Sequence, residues 1–377
     1  MPTPRLPETA GQPAASFLQL LQQGVDFDPL YPNPRFGPLT DHLPMALTAL
    51  HALGGSTAEL QAFRAAYATR LVPMRARTAA ELDWADDGRA PDDGRAGLGM
   101  PAAYPALLAR FEAEIADTGR AAVLGRWIPR LIDALATHAL HPLIRVAAAL
   151  QHGVDRELAA GLAYWCSAHL DVPAPRIGRR DVGADSAAGT LFASVRAHPQ
   201  GGATTLVAAG FGNRLLELAA RPGFAELSGW RPLVLDLPRM AREAARVYLG
   251  TGDFFALHMV TGSHALRLVL PWVSDREAAL DRWWQALAAT YVVIGAPDYG
   301  PWREVGQPAG QPVGQPAGER VGMPADDVLR RTSMQALAGD DAEHVVKLLW
   351  SVREEHAAYG FAEHAHIAVR VCAGGRS

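Results

Sequence analysis

Apolar residues recur at helical spacing through most of this chain, and the alternation that marks strands is scarce. The segment 41–53 shows the pattern, because Leu43, Leu47 and Leu50 fall on one side of a helix. Few folds suit such a chain, since each helix must bury its apolar stripe against another element. The sequence therefore predicts an all-α fold, built as a single large multi-helix domain with a ligand site between helices.

Capping and breaking residues set the predicted helix boundaries. Gly54 and Gly55 end the first helix, and Ser56 and Glu59 have the spacing of a capping box that begins the second. Helices are predicted over 41–53, 56–67, 105–117, 120–149, 155–170, 215–227, 240–250, 253–272 and 275–293, and helical patterning resumes over 326–371. Pro129 and Pro142 are predicted to mark helix starts or kinks within 120–149.

The helical domain is predicted to run from residue 15 to residue 372, between a disordered tail at 1–14 and a short tail at 373–377. Residues 305–318 (VGQPAGQPVGQPAG) repeat an imperfect GQPxG unit, and this composition predicts a low-complexity loop insertion. The segments 78–100 and 178–203 are also predicted to be loops, the first because it is acidic and rich in glycine.

Charge and composition exclude several classes of protein. The net charge is −4 and no Lys/Arg cluster occurs, so neither nucleic acid nor a membrane surface is an expected partner.

No apolar run approaches about 18 residues, and residues 1–14 lack the apolar core of a signal peptide. Two distant cysteines cannot form a disulfide framework, so a cytoplasmic protein is expected. The chain also lacks GxGxxG, P-loop, HExxH and GxSxG motifs.

Lys347 is the only lysine beside 34 arginines, and it lies in the apolar stretch His-Val-Val-Lys-Leu-Leu-Trp that begins at His344. A buried lysine loses its proton readily and can then act as a base, a nucleophile or, once carboxylated, a metal ligand. The alternative is that its ammonium group reaches the surface along an apolar stem.

Histidines in predicted helices are the other candidates for chemistry. His138, His141 and Arg145 are three and four residues apart, which predicts that they share one helix face. His344 and Lys347 are placed on a common face by the same spacing. Neutral imidazole suits iron, zinc, copper or nickel, and helical proteins build metal sites from side chains on facing helices.

Four motifs occur in order along the chain: DHLPMALTALHALGG, HPLIRVAAAL, FFALHMVTGSHALRLVLPW and HVVKLLW. In this series the chain resembles the questin oxidase-like family, over about residues 15–372. Fungal members of that family are associated with oxidative ring opening of anthraquinones in polyketide pathways. They are described as Baeyer–Villiger-type oxygenases, and a non-haem iron centre held by histidines and a modified lysine is also associated with the family.

The resemblance implies a metal site, residue by residue. Its ligands would be His42, His141, His258, His344 and Lys347. Where the family pattern has two further histidines, this chain has Met45 and Arg145. A thioether is a poor ligand for iron and a guanidinium is none, so Arg145 would instead hold an anionic substrate group or stabilise bound dioxygen. Lys347 and Arg145 are therefore the implied catalytic residues.

The activity that the resemblance implies is that of an oxidoreductase. It would be a metal-dependent oxygenase that uses dioxygen on an aromatic or polyketide-like small molecule, by ring cleavage or by Baeyer–Villiger-type insertion. Non-haem iron or another divalent metal is the implied cofactor, and NADPH is implied by the resemblance alone. Two alternatives stay open: a catalytically degenerate, metal-free small-molecule binding protein, and a metal-free monooxygenase in which Arg145 and a histidine stabilise an oxyanion.

Overall fold

The computed structural model describes residues 15–34, 38–74, 97–175, 191–198, 201, 205–227, 236–299, 321–337, 339 and 341–374. The predicted tail 1–14, the predicted loop 305–318 and residues 375–377 lie outside this part of the chain, as do most of the predicted loops 78–100 and 178–203. Within the described part the backbone is predominantly helical, and the prediction of an all-α fold is confirmed.

A small sheet is the only extended structure with named strands in the described residues. Its strands β1 (Leu30–Tyr31) and β2 (Leu39–Thr40) pair antiparallel, with Leu30 opposite Thr40. Among the helices described, none combines the length and the hydropathy that a membrane-spanning segment requires.

Backbone contacts divide the chain into two compact units, which are Met1–Val172 with Ala265–Ala279, and Pro173–His264 with Leu280–Ser377. In the first unit, helix α7 packs against α4 and α6, and α6 packs against α2. The helices of this unit are α1 (Ala15–Gly24), α2 (Leu43–Ala52), α3 (Thr57–Ala68), α4 (Tyr104–Thr118), α5 (Arg120–Leu131), α6 (His141–His152) and α7 (Asp155–Ser167). The capping box of Ser56 and Glu59 begins α3, as predicted.

The second unit holds nine helices in the described residues, with 265–269 of α12 and 276–279 of α13 assigned to the first unit. Helix α16 packs against α11, α14 and α15. The helices are α8 (Ala193–Ala197), α9 (Phe211–Ala219), α10 (Phe224–Leu227), α11 (Leu237–Thr251), α12 (Phe254–Val269), α13 (Arg276–Val293), α14 (Asp326–Ala336), α15 (Ala342–Tyr359) and α16 (Ala362–Cys372). The helical patterning predicted over 326–371 corresponds to three helices, and the predicted helix 215–227 is two.

A left-handed turn interrupts the predicted helical segment 120–149 just before Pro142, one of the two prolines predicted to mark a helix start or a kink. His138, Ala139 and Leu140 have φ angles of 43°, 53° and 70°, so α5 ends before them and α6 begins after them. Left-handed backbone costs a residue with a Cβ atom roughly 1–2 kcal/mol. His138 therefore does not share a helix face with His141 and Arg145, and His141 becomes the first residue of α6.

Valine at position 139 should destabilise the protein, because a β-branched side chain fits left-handed backbone worse than alanine does. Ala136→Val is a matched control, since Ala136 is similarly buried but has a φ of −76°. We expect Ala139→Val to lower the free energy of unfolding by about 1–2 kcal/mol more than Ala136→Val. Urea denaturation measures both, and equal losses would mean that the turn carries no strain.

The buried His364, in α16 of the second unit, should make the free energy of unfolding fall at acid pH. Burial lowers the pKa of this imidazole from 6.5 to about 4. The unfolded chain takes up the proton near pH 6.5, so the contribution of neutral His364 is complete above that pH and lost as pH falls to about 4.

Replacing His364 with phenylalanine should remove on the order of 2–3 kcal/mol of this pH dependence, and urea titrations at pH 7, 5.5 and 4 measure it. Phe361→Leu is the control, since it alters the ring packed near His364 without removing a titrating group. An unchanged slope in His364→Phe would contradict the prediction.

Candidate metal centre

Two histidines of the first unit face each other. His42 directly precedes α2, and His141 begins α6. Their Nε2 atoms lie 2.7 Å apart, and both residues are buried, at 4% and 7% exposure. Two ring nitrogens at this distance either share a proton or direct both lone pairs at one cation.

The backbone fixes the tautomer of His141. Its Nδ1 contacts the carbonyl oxygen of His138, and a carbonyl only accepts, so Nδ1 carries the proton. Nε2 of the neutral ring then carries the lone pair. Histidines that bind metals usually donate their other ring N–H in this way. The left-handed turn at 138–140 thus presents the His138 carbonyl to the ring it orients.

His42 is held by the hydroxyl of Tyr67 in α3. Tyr67 Oη lies 3.2 Å from His42 Nδ1 and 3.3 Å from the backbone nitrogen of His42, which donates to it. Because a phenol both donates and accepts, Tyr67 can pair with either neutral tautomer of His42. One tautomer donates a hydrogen bond from Nε2 to His141, and the other leaves the Nε2 lone pair for a cation.

A cavity of about 180 Å³ in the first unit lies beside the turn that holds His141. His138, Tyr104 and Tyr164 are among the residues that line it. His138 Nδ1 and Tyr164 Oη are 2.8 Å apart, and Tyr164 also lies 2.8 Å from Thr40 Oγ1. A hydrogen-bonded chain therefore links the β2 strand to the turn.

Arg145 lies on α6 one turn after His141, fully buried between two acids. Its Nε and Nη2 donate to Glu157 at 2.6 and 3.1 Å, and its Nη1 is 3.9 Å from Asp41. Burial raises the pKa of Asp41 to about 7 against the opposing effect of Arg145. Arg145 is thus tied to the segment that carries His42, while a catalytic role for it stays a prediction.

In the second unit, α12 contributes His258 and α15 contributes His344. Their ring centroids are 5.2 Å apart, and both side chains are buried. His258 Nδ1 donates to the carbonyl of Phe254 at 2.8 Å, which again leaves Nε2 with the lone pair. Burial is the main cause that lowers the pKa of His258 to about 3, and the neighbouring Lys347 lowers it further. This ring is therefore neutral at ordinary pH.

Lys347 lies one turn after His344 on α15 and does not reach the surface, since its exposure is 1%. In the described part of the chain its Nζ has no hydrogen-bond partner. Burial lowers its pKa to about 7, with Glu343 acting in the opposite direction. A substantial fraction of this side chain is therefore an uncharged amine near neutral pH, as expected for a buried lysine.

His42, His141, His258 and His344 form a buried group in which each offers a ligand atom within 4.8 Å of the others. Such a group could hold a metal ion, because neutral imidazole binds most first-row divalent metals. These four residues are among the ligands that the family resemblance implied. Lys347 as a further ligand and Arg145 and Lys347 as catalytic residues stay predictions.

The residues that orient these side chains were not predicted from the sequence. Tyr67 lies in a helix without any motif, and Glu157 resembles an ordinary acid in a first helical turn. The carbonyl of His138 acts through a backbone conformation that no residue type there signals. Glu157 could have been anticipated, since a buried arginine such as Arg145 requires a buried acid.

The family model described as questin oxidase-like matches residues 39–352, a range that contains all four histidines, Lys347 and Arg145. No curated protein matches the chain at a significant level.

Proposed function

Because the chain belongs to the questin oxidase-like family, we propose that it is a metal-dependent oxygenase acting on an aromatic or polyketide-like small molecule. The observation that carries the proposal is the buried group of four histidines. An apolar helical interior rarely keeps four imidazoles together, because each buried ring nitrogen requires a hydrogen-bond partner or a ligand.

The donor set fits a divalent transition metal such as iron. His141 and His258 each donate Nδ1–H to a carbonyl oxygen, which places the lone pair of the neutral ring on Nε2, the atom that would coordinate a metal. His42 gains the same form when its Nδ1 donates to Tyr67. We propose that these three residues and His344 hold the metal, with Lys347 as a fifth ligand once its amine is neutral or carboxylated.

A redox-active metal held there would supply dioxygen activation. The chain's own residues would exclude water, fix the ligand rings and balance charge. Imidazole ligands carry no negative charge, so nearby carboxyl groups would have to balance the charge of a bound metal. Buried carboxyl groups in the neighbourhood are those of Glu343, Asp41 and Glu157. Glu157 occupies Nε and Nη2 of Arg145, so the proposed catalytic role of Arg145 would use Nη1, which has no hydrogen-bond partner in the described residues.

Oxygen uptake tests the proposed activity. The purified protein would be loaded with Fe²⁺, Mn²⁺ or Zn²⁺ and supplied with a panel of naphthols and hydroxyanthraquinones in a sealed oxygen-electrode cell. We expect uptake that depends on substrate and on Fe²⁺ or Mn²⁺, with products that gain oxygen atoms by mass spectrometry. Zn²⁺ is the control because it has no redox chemistry. Parallel runs with NADPH test that requirement, which rests on the family resemblance alone.

The two alternatives make different predictions in this experiment. A metal-free binding protein of the same fold would bind aromatic compounds but consume no oxygen with any metal. A metal-free monooxygenase would consume oxygen even after chelation, provided that a reductant is present. Either result would overturn the metal-dependent oxygenase.

The hydroxyl of Tyr67 should support metal binding. Removing a group that orients a ligand histidine typically lowers metal affinity by 10–100-fold, and we expect Tyr67→Phe to weaken affinity by about tenfold. Competition with a chromophoric chelator measures this change. Tyr248→Phe makes the same chemical change at a buried hydroxyl without a described hydrogen bond. If both variants bind metal like the wild type, Tyr67 has no part in the site.

A further inference from the structure

Phe254, the first residue of α12, is a large apolar side chain that remains 42% exposed. Its ring centroid lies 4.9 Å from the ring of His258 and 4.6 Å from that of His344, with interplanar angles near 60°. Its carbonyl oxygen accepts the Nδ1–H of His258. An aromatic ring that solvent reaches is therefore in contact with two buried candidate ligands.

The exposure of one apolar side chain is weak evidence for a function, since isolated apolar side chains are common on protein surfaces. Leu216 is equally exposed at 42%, and Val369 at 40%. Phe254 differs from both because its ring packs on histidines of the candidate site.

The Phe254 ring also packs against Phe255, which in turn packs against Phe211. Phe255 lies 5.4 Å from Phe254 and 4.8 Å from Phe211, the first residue of α9. Aromatic pairs at these separations add to the stability of a packed cluster. Phe254 is thus a supported ring, and a planar ligand could stack on its exposed surface without first ordering it.

We infer that Phe254 is a substrate-positioning residue, which stacks on a planar aromatic ring of the substrate and holds it beside His258 and His344. The inference rests on the proposed function, because it assigns to that activity a contact on the substrate side. The ligands that it implies are flat, unsaturated rings, which should bind more tightly than saturated rings of similar size.

Two probes separate stacking from simple apolar contact. Isothermal titration calorimetry on the metal-free protein would compare 2-naphthol with decahydro-2-naphthol, which has the same carbon skeleton without a π system. The wild type should prefer 2-naphthol. Phe254→Ala should bind 2-naphthol about tenfold more weakly, whereas its affinity for the saturated probe should change less.

Conservative variants distinguish positioning from structural support. Phe254→Tyr and Phe254→Trp should retain the preference for 2-naphthol, and Phe254→Leu should lose it while keeping most of the affinity for decahydro-2-naphthol. Leu216→Ala is the control, because it truncates an equally exposed side chain and should change neither affinity. With a turned-over substrate, Phe254→Leu should raise KM more than it lowers kcat.

Several outcomes would overturn the inference. They are equal affinity of Phe254→Ala and wild type for 2-naphthol, an equal loss for both probes, or no saturable binding of 2-naphthol by the wild type. Metal analysis keeps this test apart from the proposed function. A wild type without metal would end the oxygenase proposal, yet the naphthol comparison on metal-free protein would still decide the role of Phe254.

Discussion

Replacing His141 with alanine should remove most of the metal from the purified protein. His141 offers an Nε2 lone pair that the His138 carbonyl orients, and losing a ligand costs at least the 10–100-fold that follows loss of an orienting partner. Inductively coupled plasma mass spectrometry on protein grown with added iron and manganese measures metal per chain. We expect a near-stoichiometric value in the wild type and less than about a tenth of it in His141→Ala.

His51→Ala is the matched control for this experiment. His51 lies at the end of α2, stacked on Phe17, and it is not one of the four grouped histidines. It should keep the wild-type metal content. Lys347→Ala separates a four-ligand site from a five-ligand one, since its metal content should fall only if Lys347 coordinates. No metal in any of these proteins would rule out the metal centre.

Replacing Glu157 with glutamine should cost the protein about 3 kcal/mol of unfolding free energy. Arg145 cannot lose its proton, so without Glu157 its charge stays buried, with Asp41 3.9 Å away as the remaining acid. Removing one member of a buried ion pair typically costs about 3–5 kcal/mol, and urea denaturation measures it. Glu112→Gln is the control, because its partner Arg156 and its own side chain are both well exposed.

A double variant separates the structural role of Arg145 from its predicted catalytic role. Arg145→Met with Glu157→Leu removes both charges, and such replacements are often neutral or stabilising. We expect the double variant to recover most of the stability that Glu157→Gln loses. If oxygen uptake survives in it, Arg145 has no part in catalysis, and a stability as low as that of Glu157→Gln would mean that the pair is not the cause.

The helices could be predicted because they depend on local patterns, and the four histidines could be named because the resemblance to the questin oxidase-like family implied them. The helical spacing of the apolar residues predicts α2 and α3, and the family motifs around His42 and His344 are short runs of neighbouring residues. The turn at 138–140 could not be predicted, because His138, Ala139 and Leu140 are ordinary helix residues that tertiary contacts force into left-handed backbone. Tyr67 was missed because it lies 25 residues from His42 in the sequence and no pattern pairs the two, whereas Glu157 could have been inferred from the need of a buried arginine for an acid.

Because the only lysine is buried, the folded protein should resist a protease that cleaves after lysine. An enzyme that cleaves after lysine has one target bond in this chain, between Lys347 and Leu348, in the middle of the buried helix α15. Cleavage requires an extended, accessible backbone, so the folded chain is protected until α15 opens. The rate of this single cut therefore reports the opening of the helix that carries His344, without any label or engineered site.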